Sequence, residues 1–183
     1  PNTTGTLALI QQHYKNVKGS FMYASMLRGL VLHTADEAGT SAGPDYRFGW
    51  GLLNAKAAAQ VITASAQATP TAILSSQVLN TGSSYTITVT AAGGQNLEAT
   101  ICWTDPAGAA LANSTIDPTT VALRNDLDIR VSRNGTTYSP WILNPASPAS
   151  AATKGDNIRD NVEKIQILAA AAGVYTITVT HKG

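Results

Sequence analysis

The spacing of apolar side chains changes period once along the chain. Up to about residue 62 they recur every three or four positions. Leu7, Ile10, Tyr14 and Val17 form one stripe, and Met22, Met26, Leu30 and His33 a second, flanked by Leu27 and Val31. That is the repeat of an α-helix burying one face. Ser20 stands where it would cap the second helix and Gly39 where it would stop it; Asn54 stands ahead of a third, alanine-rich helix ending near Ile62. A side-chain oxygen at such a position accepts a first-turn N–H that has no partner in the helix, and a glycine past the end takes the left-handed conformation cheaply. The first helix is different: Leu7-Ala8-Leu9-Ile10 leaves it apolar on nearly every side, the pattern of a helix inside a larger body.

From Pro70 onward the period is two. Tyr85, Ile87 and Val89 alternate with Thr86, Thr88 and Thr90; Leu97, Ala99, Ile101 and Trp103 share one face, as do Leu127, Ile129 and Val131, and Tyr175, Ile177 and Val179. Each run predicts a half-buried strand. Asn134-Gly135 separates two of them and predicts a type I′ hairpin, whose two central residues both need positive φ. The runs "TAILSSQVL" (71–79) and "NVEKIQIL" (161–168) predict further strands. Seven or eight antiparallel strands with no helices between them predict a mainly β fold, an antiparallel β-sandwich of jelly-roll kind, preceded by the helical segment. The expected division is a helical part over 1–65, a linker over 66–74 around "ATPTA", and a β-domain over 75–183.

Composition narrows the partners. With 13% charged residues and a formal net charge of +1 there is no basic face for nucleic acid. No apolar run approaches the roughly 20 residues that span a bilayer, so no membrane partner is expected. The single cysteine, Cys102, cannot close an internal disulfide, and in a strand-like run it reads as a small packed hydrophobe.

Candidate chemistry lies mostly in the β half. Asp126 and Asp128, two apart in a strand, project from one face. Two like charges there call for a cation. One reading is Ca²⁺, with Asp105, Asn125 and either Asp156 or Asp160 completing an oxygen shell; the other is neutralisation by Arg124, Arg130 and Arg159. Glu163 shares a face with Ile165 and Ile167, so it is expected to be buried and locked by Arg159, Arg124 or backbone N–H groups near residues 124–128. Trp103 is expected to pack, Trp50 to lie under the glycine-aromatic stretch, and Trp141 to be the exposed tryptophan. Gly39-Thr40-Ser41-Ala42-Gly43 fits the G-x-S-x-G pattern of a nucleophile elbow, but that device needs a strand leading in and a helix leading out. Here a helix leads in and Pro44 follows, so a turn is the expectation.

The order of these blocks carries a resemblance. An apolar helix after a proline, a second helix ending in "LHTAD", a Gly/Pro loop and "DYRFGWGLLNAKAAAQVI" resemble the end of the catalytic domain of subtilisin-like serine proteases. "ICWTDPAG", "LRNDLDIRVSRNGTTY", "NIRDNVEKIQI" and "AAGVYTITVT" resemble the P-domain-like jelly-roll that follows that catalytic domain in bacterial alkaline subtilases. The resemblance implies that Pro1 matches the last residue of the Gly-Thr-Ser-x-Ala-x-Pro motif. The nucleophilic Ser, the triad Asp and His and the oxyanion Asn would then all lie outside these residues, leaving a non-catalytic portion of a secreted bacterial endopeptidase. Its partners would be the rest of the catalytic domain and the protein or peptide substrates, and calcium is a common ligand of such relatives. The alternative is a stand-alone jelly-roll module binding carbohydrate or a cell-surface ligand.

Overall fold

A computed structural model of the chain describes residues 1–110 and 118–182. Three helices come first: α1 (Asn2–Lys18), α2 (Ala24–His33) and α3 (Ala55–Ala64). They close on a small core of Ile10, Tyr14, Met22, Leu30, Ala58 and Ile62, with Leu74 reaching back from the following segment. The first helix buries only Ile10 and Tyr14; Leu7 is half-buried and Leu9 is 72% exposed. Asn54 caps α3 as expected, its Oδ1 accepting the N–H of Ala57 at 2.8 Å.

The expected cap at Ser20 does not form, and α2 starts after Tyr23. The cause is Gln11, whose amide accepts from the Met22 N–H at 2.9 Å and donates to the Met22 carbonyl at 3.0 Å. A side-chain amide pairing with both backbone groups fixes the Met22 backbone outside the helix while its side chain enters the core. The helix also stops before Gly39: the Thr34 hydroxyl donates to the Leu30 carbonyl, and Asp36 turns away to pair with Leu52.

Eight strands follow, all paired antiparallel: β1 (Ser84–Ala91), β2 (Gln95–Cys102), β3 (Leu127–Arg133), β4 (Thr136–Tyr138), β5 (Trp141–Ile142), β6 (Thr153–Lys154), β7 (Val162–Ala170) and β8 (Gly173–His181). One sheet runs β1-β8-β3-β4, a second pairs β2 with β7, and a short ladder joins β5 to β6. Ile129, Val131 and Tyr175 of the first sheet share a core with Ala99, Ile165, Ile167 and Ala170 of the second. The alternation read from the sequence sets this layering, since inward positions two apart supply nearly all of that core. Asn134 and Gly135 have φ of 48° and 80°, as the hairpin between β3 and β4 requires.

Residues 71–79 form no strand. Their apolar positions find no ladder: Leu74 joins the helical core, Val78 is 93% exposed, and the Leu79 carbonyl accepts from the His181 ring. Among the described residues no helix is long and apolar enough to cross a membrane.

The two parts meet on the outer face of the β2–β7 sheet. Gly29 of α2 lies so close to Cys102 that a Cβ there would stand 3.0 Å from the Cys102 Cβ. Arg28 donates to Asn161 at 2.6 Å, the Lys164 ammonium donates to the His33 carbonyl at 2.8 Å, and His33 Nδ1 is 2.9 Å from the Thr100 hydroxyl. Cys102 thus packs between the parts, and burial raises its thiol pKa.

Candidate functional site: a carboxylate cluster closed by Lys182 and Arg130

Asp126 and Asp128 do meet a cation, and it is Lys182. Its Nζ lies 3.2 Å from Asp126 Oδ2, 2.9 Å from Asp128 Oδ2 and 3.0 Å from Asp156 Oδ2. The β3–β8 register brings it there, because Leu127 pairs with His181 and the Lys182 N–H donates to the Asp126 carbonyl at 2.8 Å. Arg130 adds a second positive group, with Nη2 2.9 Å from Asp128 Oδ1 and 2.7 Å from Asp156 Oδ1. Of the three arginines weighed for this role, Arg130 alone takes it. Arg124 uses its backbone N–H on Asp105, while Arg159 Nη1 donates to the Thr119 carbonyl.

Glu163 lies beneath this cluster and is fully buried. Its Oε2 accepts from the Ile129 N–H at 2.7 Å and lies 4.0 Å from Arg130 Nη1; Oε1 has no partner. The expected lock therefore comes from a backbone N–H of β3, with Arg130 as the nearby cation and Arg159 elsewhere. Ile129 lies beyond the last β3–β4 pair, Val131–Tyr138, and its N–H is satisfied by the carboxyl group.

Charge states follow from these contacts. Burial pushes Glu163 up to about 8, so the acid is largely protonated at neutral pH. Burial, and then hydrogen bonding with Asp156, also raises Asp128. Asp156 goes the other way, held far below the usual carboxylate range by hydrogen bonds with Asp128, Lys182 and Arg130. Burial disfavours the Lys182 charge, but its carboxylate partners prevail and raise its pKa.

Asp105 and Asn125 form a separate structure. Asp105 accepts from the N–H groups of Arg124 and Asn125 at 2.7 and 2.9 Å and from the Asn125 side chain at 2.7 Å. Burial opposes its ionisation, and those hydrogen bonds outweigh it and lower its pKa. Trp103 is half-buried and donates from its indole to the Asn125 carbonyl at 3.1 Å. Together Asp105 and Trp103 clamp the backbone entering β3. The four proposed calcium ligands thus divide into a loop clamp and a carboxylate pair engaged by Lys182. Among the described residues no group of three or more His, Cys, Asp or Glu side chains is placed to hold a metal ion. Asp160 accepts instead from the Asn157 side chain at 2.9 Å.

Ser41 sits in a bend between Gly39 and Gly43, both at positive φ, with α2 upstream and buried Pro44 downstream. No strand leads into it, so the elbow is not built. Trp141 is half-buried rather than exposed, with Lys154 3.1 Å above its ring centroid.

The residue that sequence reasoning missed is Lys182. It lies one position past the last strand, and only the register of β8 on β3 brings it beside Asp126 and Asp128. Compared with known proteins, the chain matches no family model, and no curated protein matches it.

Proposed function

We propose that the chain is the C-terminal portion of a secreted subtilisin-like serine endopeptidase, in which the helices belong to the catalytic domain and the sheets form an accessory jelly-roll. The portion described here has no triad and does not cleave peptide bonds itself; it stabilises the catalytic domain or positions protein substrates. The observation that carries this reading is the apolar surface left on the helical unit. Leu9, Phe21, Tyr23 and Leu52 are each more than half exposed there, on a unit whose own core holds six buried residues. We read these side chains as positions that further protein covers. The ion cluster supports the accessory role: Lys182 and Arg130 tie β3, β8 and the Asp156 loop into one rigid block.

The coding sequence immediately upstream of Pro1 tests the proposal. Gly-Thr-Ser-x-Ala-x is expected there, and an unrelated linker would refute it. A covalent serine-hydrolase probe adds a direct check, since the reading expects no labelling of Ser41 in this chain.

A further inference from the structure

One hexapeptide occurs twice in the chain. Residues 85–90 and 175–180 both read "YTITVT", and the fold pairs the two with each other. In the β1–β8 ladder Ile87 faces Ile177, Tyr85 faces Val179, Val89 faces Tyr175, and Thr86 and Thr88 face Thr178 and Thr176. The segment is thus its own antiparallel complement. Apolar side chains meet on the core side and threonines on the outer side, with Thr86 and Thr178 hydroxyls 3.3 Å apart, and neither copy carries a charge.

β1 is an edge strand, and β8 occupies only one of its sides. Hydrogen bonds at the end of the ladder fix which groups the other side presents. The His181 N–H donates to the Ser83 carbonyl and the Lys182 N–H to the Asp126 carbonyl, so odd-numbered residues of β8 bond β1 and even-numbered ones bond β3. In β1, Tyr85, Ile87 and Val89 therefore bond β8, while Thr86, Thr88 and Thr90 turn their backbone groups outward. Among the described residues no backbone group pairs with that outer side.

The other edges are guarded and this one is not. β4 has three residues, β2 carries a register shift between Gln95 and Leu97 together with Glu98, and β7 carries Glu163 and Lys164. Short length, bulges and charges are the devices that keep an edge from accepting another strand. β1 runs eight residues in unbroken register with no charge, proline or glycine.

We infer that this edge takes a second copy of the chain, the two β1 strands pairing antiparallel across a two-fold axis at Ile87. Ile87 then faces its own symmetry mate, Tyr85 faces Val89 and Thr86 faces Thr88, which are the side-chain pairs that β1 already makes with β8. The outward backbone groups of Thr86 and Thr88 supply the new hydrogen bonds, and the two sheets become one. A closed, two-fold interface of this kind consumes both open edges at once. The helices meet the other sheet, so the pairing is independent of whether they belong to a catalytic domain.

Sedimentation velocity of the full chain over roughly 1 µM to 1 mM tests the pairing. The expected result is a rise from one chain mass to two. Over the same range the amide protons of Thr86, Thr88 and Thr90 should slow in exchange by at least about tenfold, and by more than those of Ile87 and Val89. The double variant Thr86→Lys/Thr88→Lys sets lysine against lysine twice across the axis and should raise the dimer Kd at least about tenfold; Thr86→Glu/Thr88→Glu should do the same. An equimolar mixture of the two double variants should recover the two-chain mass, which also shows that both fold. A single chain mass at every concentration, a dimer undisturbed by the lysine pair, or a mixture that stays at one chain mass would each overturn the proposal.

Discussion

The helical unit and the β-layers solve the same problem with unequal means. The β-layers bury Ile129, Val131, Ile165 and Tyr175 to 2% exposure or less and close the end of that core with an ion cluster. The helical unit fully buries Ala58 and Ile62, yet leaves Leu9 and Tyr23 72% exposed. Periodicity alone does not distinguish them, because both carry a clear apolar face. What differs is whether the chain supplies a second surface to cover that face. Strands bring their own, each sheet serving as lid for the other; a three-helix unit of this size covers only one stripe of each helix.

The comparison breaks most visibly in the two cores. Ile165→Ala and Ile62→Ala each remove a fully buried side chain and should cost about 2–5 kcal/mol. Thermal melts followed by far-ultraviolet and near-ultraviolet circular dichroism should separate them. Ile62→Ala is expected to melt helix while the sheet signal persists, whereas Ile165→Ala unfolds the sheet. A single coincident transition in both variants would show that the parts are one cooperative unit.

Gly51→Ala probes the loop that closes the helical unit. Gly51 has φ of 107°, and a Cβ there would run into the Asp36 carbonyl, the group that pairs with the Leu52 N–H. Left-handed strain alone costs about 1–3 kcal/mol, and the clash adds to it. The loss should appear as a lower helical midpoint, with the sheet transition unmoved.

In the β-layers, pH is the sharper tool. The folded-state pKa of Glu163 is raised to about 8 from 4.5, so the native chain keeps a proton that the unfolded chain releases. Its contribution is complete below about pH 4.5 and is lost as pH rises to about 8, a decline on the order of 1 kcal/mol per pH unit. Asp128, raised as well, adds in the same direction. Asp156, lowered, has the opposite sign: its contribution is present above the ordinary carboxylate range and is lost in acid. Glu163→Gln mimics the protonated acid and should flatten the decline in denaturant titrations between pH 5 and pH 8. An unchanged slope would mean that Glu163 is ionised in the fold.

Lys182→Gln should have the smallest effect, about 1 kcal/mol, because the ammonium is partly exposed. It also addresses calcium. An ion would compete with Lys182 for Asp126, Asp128 and Asp156, so added calcium should raise the Tm of Lys182→Gln more than that of the native chain.

The strands were legible because half-buried sheet imposes strict alternation, and the β3–β4 hairpin because Asn-Gly suits two positive φ values. Asn54 was legible for a similar reason, since capping is local chemistry. Ser20 misled because the competing interaction came from Gln11, nine residues earlier and on another helix. The segment 71–79 misled because strand propensity says nothing about whether a neighbour is free to pair. At the carboxylate cluster the anions and the burial of Glu163 could be read from alternation. Their partners could not, since Lys182 and Asp156 reach Asp128 through register and loop closure. Asp105, expected as a ligand, accepts from the backbone N–H groups of Arg124 and Asn125, an arrangement that spacing does not encode.

The position of β8 carries one more implication. It is the last of the described strands in sequence, yet it lies between β1 and β3, and β1 has no other ladder partner among the described residues. Until Gly173–His181 has left the ribosome, β1 has nothing to pair with, and β3 has only its short hairpin with β4. The helices can collapse and β2 can pair with β7 before then, but the β1-β8-β3-β4 sheet forms only once β8 has been made. The interval is one in which "SYTITVTA" waits as an unpaired, uncharged strand, and it is the moment at which this chain is most exposed to pairing with a neighbour of its own kind.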